Sequence, residues 1–399
     1  MKRAIYLKKT DWREARERLR AACAQGFPLG PEAVGVPESL HRITSERVVA
    51  RISSPAHDAA AMDGIAVCAE MTFGATPSEP VQLKLGSDCI IVDTGAPVEK
   101  SFDAVIKIED VTILDTMVEV TASVPPGKDI RFAGEDFTAG DTVVPENHRI
   151  RPVDIGALLS CGILTVNVRK KPRVRIIPTG SEIVEPGENL KPGNIIDSNS
   201  FIASNLINQW GGEAHRGAIV RNEEDLLSRA IEEAAGSYDM VIVIAGSSAG
   251  SEDLTLPVLQ GLGNVLVHGV DLMPGKPAIL AHIGKVPVIG LPGYPVSAFV
   301  ILDIYVRDMV AGALGFEPQK KRSIRALLSE SLPSKLGMDE IVRVRLLSKN
   351  GTLHAVPLKR GAGMLRSLVE ADGFIHIPKD EEGFNRGREV TVELFDQDF

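Results

Sequence analysis

The stretch Met240-Val-Ile-Val-Ile-Ala-Gly-Ser-Ser-Ala-Gly-Ser-Glu-Asp253 runs from a wholly apolar segment into a loop of glycine and serine. In open α/β sheets, ligands bind at the carboxyl ends of strands, where backbone N–H groups and a following helix accept negative charge. Gly246 and Gly250 would let the backbone approach a phosphate closely, and Ser247, Ser248 and Ser251 offer hydroxyl donors. The same composition also suits a plain turn. Two further turns follow apolar runs: Pro274-Gly275-Lys276-Pro277 pins a lysine between prolines, and Gly290-Leu-Pro292-Gly293-Tyr294-Pro-Val-Ser297 precedes a helical pattern. A loop lysine is ordinarily solvated, but one held beside glycine-rich strand ends suits a phosphate or oxyanion clamp.

Acids recur beside these turns. Glu182 follows Thr179-Gly180, Asp197 lies in Ile195-Ile-Asp197-Ser198-Asn199, and Asp253 closes the serine loop. Mg²⁺ is typically bound by one or two carboxylates together with substrate phosphates, so acids beside an anion cradle fit that ion. N-capping is the competing role; it suits Asp197 and Ser198, whereas Glu182 and Asp253 suit function better. Ala60-Ala-Met-Asp63-Gly64 and Gly134-Glu-Asp136 also set acids in tight turns, for which hairpin geometry alone would be sufficient reason. The eight histidines show no H-E-x-x-H spacing and the four cysteines no C-x-x-C, so both types read as packing or surface residues.

These residues need a scaffold. Asp11 to Cys23 carries apolar residues at helical spacing, with Thr10 as the expected N-cap. Short alternating runs (VQLKL, DAVIKI, MVEVTA) mark residues 46–141 as a mostly β domain. Because helical segments flank it, it reads as an insertion in a discontinuous helical domain, 1–45 with 142–171. Residues 172–318 alternate apolar strands (VRIIP, AIV, MVIVIAG, VPVIGLP) with helices near 201–210 and 223–235, the rhythm of a parallel sheet covered on both faces. Asn222 and Asp225 resemble a capping box for the second helix. Period-two patterns return over 319–399, predicting a small β-barrel. The fold class is therefore multi-domain α/β.

Composition excludes several functions. With 399 residues, 44% hydrophobic and 24% charged, the chain is a folded globular protein of several domains. Its net charge of −9 opposes binding to nucleic acid through phosphate neutralisation. No apolar run is long enough to span a membrane and no export signal is legible, which predicts a cytoplasmic protein.

Taken in order, AMDG at 61–64, TGAPVEKSFDAVIKIED at 94–110, GKDIRFAGED at 127–136, TGSE at 179–182, GNIIDSN at 193–199, GSSAGSED at 246–253, PGKP and GLPGYPVS resemble the molybdopterin molybdenumtransferase family, the molybdenum insertases related to the E domain of gephyrin. The resemblance covers nearly the whole chain. It implies an elongated homodimer of four-domain subunits, with the active cleft between the α/β domain of one subunit and domains of the other. The implied reaction inserts molybdate, or tungstate, into adenylylated molybdopterin, with Mg²⁺-dependent release of AMP; a molybdopterin adenylyltransferase is the implied delivery partner. Carried over by motif, Asp63, Asp136, Glu182 and Asp253 would position metal, water or oxyanion, with Glu182 and Asp253 as metal ligands, and Lys276 would meet the anionic substrate. Thr179, Gly180, Asp197, Gly246, Ser247, Ser248, Gly250, Ser251, Pro274, Gly275, Pro292, Gly293 and Ser297 would line the cofactor site. The chain departs from the family pattern at Ala59-Ala60, Ser181, Ala245, Met273 and Tyr294, where polar or charged groups are usual. A second reading, a paralogue that carries or senses the cofactor without turnover, therefore stands beside the first.

Overall fold

The computed structural model describes residues 9–244, 254–318 and 320–395. The chain forms two compact units: the N-terminal part up to Gly30 joins Lys170 onward, and Pro31–Arg169 makes the other.

In the larger unit a six-stranded sheet runs, edge to edge, Glu213–Arg216, Arg173–Pro178, Met240–Ile244, Val286–Leu291, Ile279–Ile283 and Asn264–His268. The first four are mutually parallel. Ile279–Ile283 is antiparallel to both of its neighbours, which corrects the all-parallel expectation. The reason is local: Gly284 takes a positive φ of 56° between the two apolar runs, so the chain turns back as a hairpin instead of crossing over through a helix. The strand expected at AIV is displaced as well; the edge strand is Glu213–Arg216, and Val220 keeps only an isolated bridge to Thr179.

Every residue of Met240–Ile244 is buried, as expected for a central strand covered on both faces. Helix Glu224–Ser237 buries Leu227, Ile231 and Ala234, spaced four and three residues apart, against Val241, Val243 and Val288. The Asn222–Asp225 capping box does not form: Glu223 precedes the helix without a side-chain cap. Helix Trp12–Cys23 is capped by Asp11, not Thr10; the Asp11 carboxylate accepts from the Arg13 and Glu14 N–H groups. This helix packs on the sheet through Ala15, Leu19 and Cys23, so residues 9–30 belong with the larger unit rather than with 142–169.

The C-terminal strands Ser323–Leu328, Asp339–Lys349, Thr352–Pro357, Gly373–Ile377 and Glu389–Leu394 close into a five-stranded barrel, because Asp339–Lys349 pairs with both Thr352–Pro357 and Gly373–Ile377. Val342, Val344, Ile375 and Val392 fill it.

In the smaller unit, Pro31–Gly35 pairs antiparallel with Thr165–Arg169 and Val48–Val49 with Thr142–Val144, beside helix Pro152–Ser160. Between these crossings lie two three-stranded sheets, one centred on Gly64–Val67 and one on Met117–Val120. All four cysteines are free thiols, and burial pushes Cys23 up to about 11. Among the described residues no helix is long and apolar enough to cross a membrane.

Candidate functional site

The TGSE and GLPGYPVS turns singled out in the sequence follow the carboxyl ends of two parallel strands of the larger sheet. Pro178, Ile244 and Leu291, the last residues of adjacent parallel strands, are register partners in sequence across the sheet. Parallel strands end on the same side, and ligands of such sheets collect at those ends. Thr179 is buried, and both its N–H and its hydroxyl donate to the Ile244 carbonyl at 2.9 Å, tying the first turn to the second strand. Gly180 sits at φ 142°, and a side chain there would lie 2.6 Å from Ile183. The half-buried Glu182 follows; its carboxylate has no ion pair among the described residues. Gly246, Ser247, Ser248, Gly250, Ser251 and Asp253 lie outside the described residues.

Asp197 is buried and fully engaged. It accepts from the Ser200 N–H at 3.1 Å, from the Ser200 hydroxyl, and from Arg216 Nη2 at 2.8 Å and Nε at 3.2 Å. It therefore does the capping its position suggested, whereas Ser198 contributes no side-chain cap. Arg216 also reaches both oxygens of Glu185 at 2.8 Å, closing the 183–197 loop onto the helix. Asn199 Nδ2 donates to the Gly293 carbonyl at 2.7 Å, so this loop is fixed to the Pro292-Gly293 turn, and its buried Oδ1 has no partner among the described residues.

The PGKP and GLPGYPVS turns meet the barrel. Gly275 has φ 124° and no room for a side chain, since a Cβ would fall 2.9 Å from Ile301. Leu272–Met273 pairs in parallel with Asp339–Glu340, and the Val296 N–H donates to the Ala362 carbonyl at 3.0 Å. Between these segments lies a cavity of about 370 Å³, to which Pro274, Gly275, Lys276, Pro292 and Ser297 contribute. Met273, Tyr294, Glu340, Arg343 and Arg360, absent from the sequence-derived set, complete much of its wall.

Arg343 is 2% exposed. Its Nη2 donates to the Lys359 carbonyl at 2.8 Å, its buried Nε has no partner among the described residues, and desolvation pulls its pKa down. Arg360 donates to the Pro333 carbonyl at 2.6 Å and pairs with Glu340 at 3.2 Å, and Glu340 also accepts from the Ser334 hydroxyl at 2.8 Å. Three cations thus face one carboxylate. Such a wall neutralises a multiply charged anion, and a buried, incompletely bonded guanidinium is well suited to one. Arg343 escaped notice because Val342 and Val344 fill the barrel core, so alternation assigns Arg343 to the outer face. No signal in the strand singles it out, because Arg345, two residues on, fits the same alternation and is exposed.

Asp63 and Asp136 belong to the smaller unit. Asp63 is exposed in the turn before Gly64 and accepts from the Thr94 N–H and hydroxyl, both at 2.6 Å, which lowers its pKa. Gly64 is obligatory there: a Cβ would stand 1.9 Å from the Ile106 carbonyl oxygen. Asp136 pairs with Arg131 at 2.8 Å, and Arg131 also holds Glu135. Among the described residues the carboxylates close enough to share a cation are Asp11, Asp271 and Asp339, none of them in the expected metal set. Lys379 already bridges Asp11 at 2.7 Å and Asp271 at 3.0 Å, while His376 meets Asp339 at 2.5 Å.

Comparison with known proteins shows the family. Residues 10–162 match the model of the MoeA N-terminal region (domain I and II), 175–312 that of a probable molybdopterin binding domain, and 325–395 that of the MoeA C-terminal region (domain IV). A protein of Methanocaldococcus jannaschii named for molybdopterin biosynthesis is 32% identical over 377 residues, covering 90% of this chain and 91% of the relative. Molybdopterin molybdenumtransferase 2 of Mycobacterium tuberculosis is 29% identical over 95% of this chain and 99% of its own length. The crystal structure of a molybdopterin biosynthesis MoeA protein from Pyrococcus horikoshii superposes with a TM-score of 0.82 at 33% identity, covering 97% of this chain and 99% of that one.

Proposed function

Because the chain belongs to the molybdopterin molybdenumtransferase family, whose work is molybdenum cofactor biosynthesis, we propose that it inserts molybdate or tungstate into adenylylated molybdopterin with release of AMP. The observation that carries this reading is the cavity in which Lys276, Arg343 and Arg360 meet at the PGKP and GLPGYPVS turns. The bond to be broken is a phosphoanhydride, and its cleavage depends on holding the phosphates and neutralising their charge as the leaving group departs. Lys276 has no carboxylate partner among the described residues and is free to bind a phosphate or oxyanion oxygen. Arg343 would orient the substrate from the barrel side. Pro274, Gly275, Pro292 and Ser297 line the same cavity, and Asn199 holds the Gly293 carbonyl beside it; Thr179, Gly180 and Asp197 would serve the site from the neighbouring strand end. Asp63 and Asp136 are proposed as further acids of the reaction on the strength of their motifs.

The unpaired, half-buried Glu182 carboxylate is a hard oxygen donor that fits Mg²⁺, and Asp253 is the second donor in this reading. When bound with the substrate phosphates, Mg²⁺ would supply charge neutralisation at the scissile anhydride. The reading includes a homodimer and delivery of substrate by an adenylyltransferase; sedimentation velocity and a pull-down of the two enzymes test those parts.

The direct test supplies adenylylated molybdopterin, Mg²⁺ and either oxyanion, and measures AMP. Wild type should release AMP, and Lys276→Ala and Glu182→Gln should slow it at least about a hundredfold, in line with loss of a preorganised charge. Tight binding without AMP release would select the carrier reading, which the exposed apolar Met273 in the cavity wall favours.

A further inference from the structure

We propose that Tyr294 is the platform on which a flat heteroaromatic ring of the bound anion stacks, an assignment that rests on reading the cavity as the site of a phosphate-bearing substrate. Tyr294 is 57% exposed, yet it lines the same cavity as Lys276 and Arg343. A large ring left uncovered beside cations has apolar surface to offer a ligand.

Its backbone is fixed on every side. The Asn199 amide holds the Gly293 carbonyl at 2.7 Å, the Ala298 N–H donates to the Tyr294 carbonyl at 2.9 Å, and the Val296 N–H donates to the Ala362 carbonyl at 3.0 Å. The ring is braced as well: a Cβ on Gly363 would come within 3.2 Å of ring Cδ1 and 3.5 Å of Cε1, so the barrel loop already lies against it. A ring set this way presents a surface at little entropic cost on binding. Met273, 40% exposed in the same wall, adds a polarizable thioether that packs well on π-systems. Cations and aromatic surface in one cavity match a heterocycle that carries phosphate better than free phosphate. Pterin and adenine share that chemistry, because stacking reads a π-face and not a hydrogen-bond pattern.

Isothermal titration of the full-length protein with 6-carboxypterin, AMP and inorganic phosphate separates the cases. Tyr294→Ala should weaken 6-carboxypterin or AMP about tenfold, the usual scale for one lost stack, and leave inorganic phosphate within about twofold. The probe that loses affinity identifies the ring, and Tyr294→Phe should bind as wild type does. Lys276→Ala should weaken all three probes. If Tyr294→Ala binds both heterocycles as tightly as wild type while Lys276→Ala binds them poorly, the stacking role is wrong and the cavity reading survives. If Lys276→Ala changes nothing, or wild type binds none of the probes, the cavity reading fails and takes this inference with it. Identical far-UV circular dichroism of the variants guards against misfolding, which the exposure of Tyr294 makes an unexpected outcome.

Discussion

Replacing Arg343 with methionine separates a binding residue from a structural one. Arg343 is 2% exposed, its guanidinium donates to the Lys359 carbonyl, and its buried Nε has no partner among the described residues. For stability the terms oppose each other. Losing a hydrogen bond from a charged donor costs about 1.5–3 kcal/mol, but the Lys359 residue is exposed and its carbonyl can be hydrated, which reduces that cost. Removing a desolvated charge with an unmet donor gives back a similar amount, as apolar replacements of buried ions often do. The net change in unfolding free energy should fall within about 1 kcal/mol. Ligand binding has no such compensation. One lost charge-assisted bond to a phosphate, about 1.5–3 kcal/mol, is roughly a 10- to 150-fold loss of affinity. Urea denaturation and calorimetric titration with AMP, repeated at low and high salt, measure both quantities; the salt dependence should shrink in Arg343→Met because a screened cation is gone. Unaltered affinity at unaltered stability would show that Arg343 does not face the ligand. A stability loss above about 3 kcal/mol would show that it is structural.

Three further outcomes follow from the geometry. Lys379→Met should destabilise the larger unit by about 2–3 kcal/mol: carboxylate oxygens of Asp11, Asp271 and Asp339 lie within 4.8 Å of one another, like charges at that range repel by about 3.5 kcal/mol at an effective dielectric near 20, and solvent at Lys379 and Asp11 reduces the figure. The Lys379 hydrogen bond lowers the Asp11 pKa, so its contribution is present at neutral pH, and the denaturation gap between variant and wild type should close as pH falls through about 4. Asp154 is held well below the usual carboxylate range, first by the Arg151 guanidinium and then by His148; the stability this confers is complete above an unfolded value near 4 and is lost as pH falls below it, so Asp154→Asn should flatten the urea midpoint against pH between about 4 and 2. Asp63→Ala removes an exposed carboxylate that, among the described residues, is bonded only by Thr94 and should leave circular dichroism and thermal unfolding nearly unchanged while abolishing AMP release; undiminished turnover would remove Asp63 from the mechanism.

Much was legible without coordinates. The barrel strands and the helices at 199–209 and 224–237 follow from apolar periodicity, which burial enforces locally. The PGKP and GLPGYPVS turns were visible because glycine and proline announce backbone constraints in the sequence itself, and Gly64 and Gly275 prove intolerant of any side chain. Other features escaped because their causes lie far along the chain. The hairpin that reverses Ile279–Ile283 depends on which neighbour a strand finds, and the role of Asp11 over Thr10 depends on which side chain turns back to the helix. Whether Arg343 meets water or a cavity depends on what packs outside the barrel wall, which alternation within one strand cannot report.

By itself, then, the sequence determined the element types, the acids and the glycine-rich turns, since these express preferences between residues a few positions apart. Only the tertiary structure decided that Lys276, Tyr294, Arg343 and Arg360 share one cavity, because contacts between residues tens of positions apart are set by packing and register, and these leave no periodic trace in the chain.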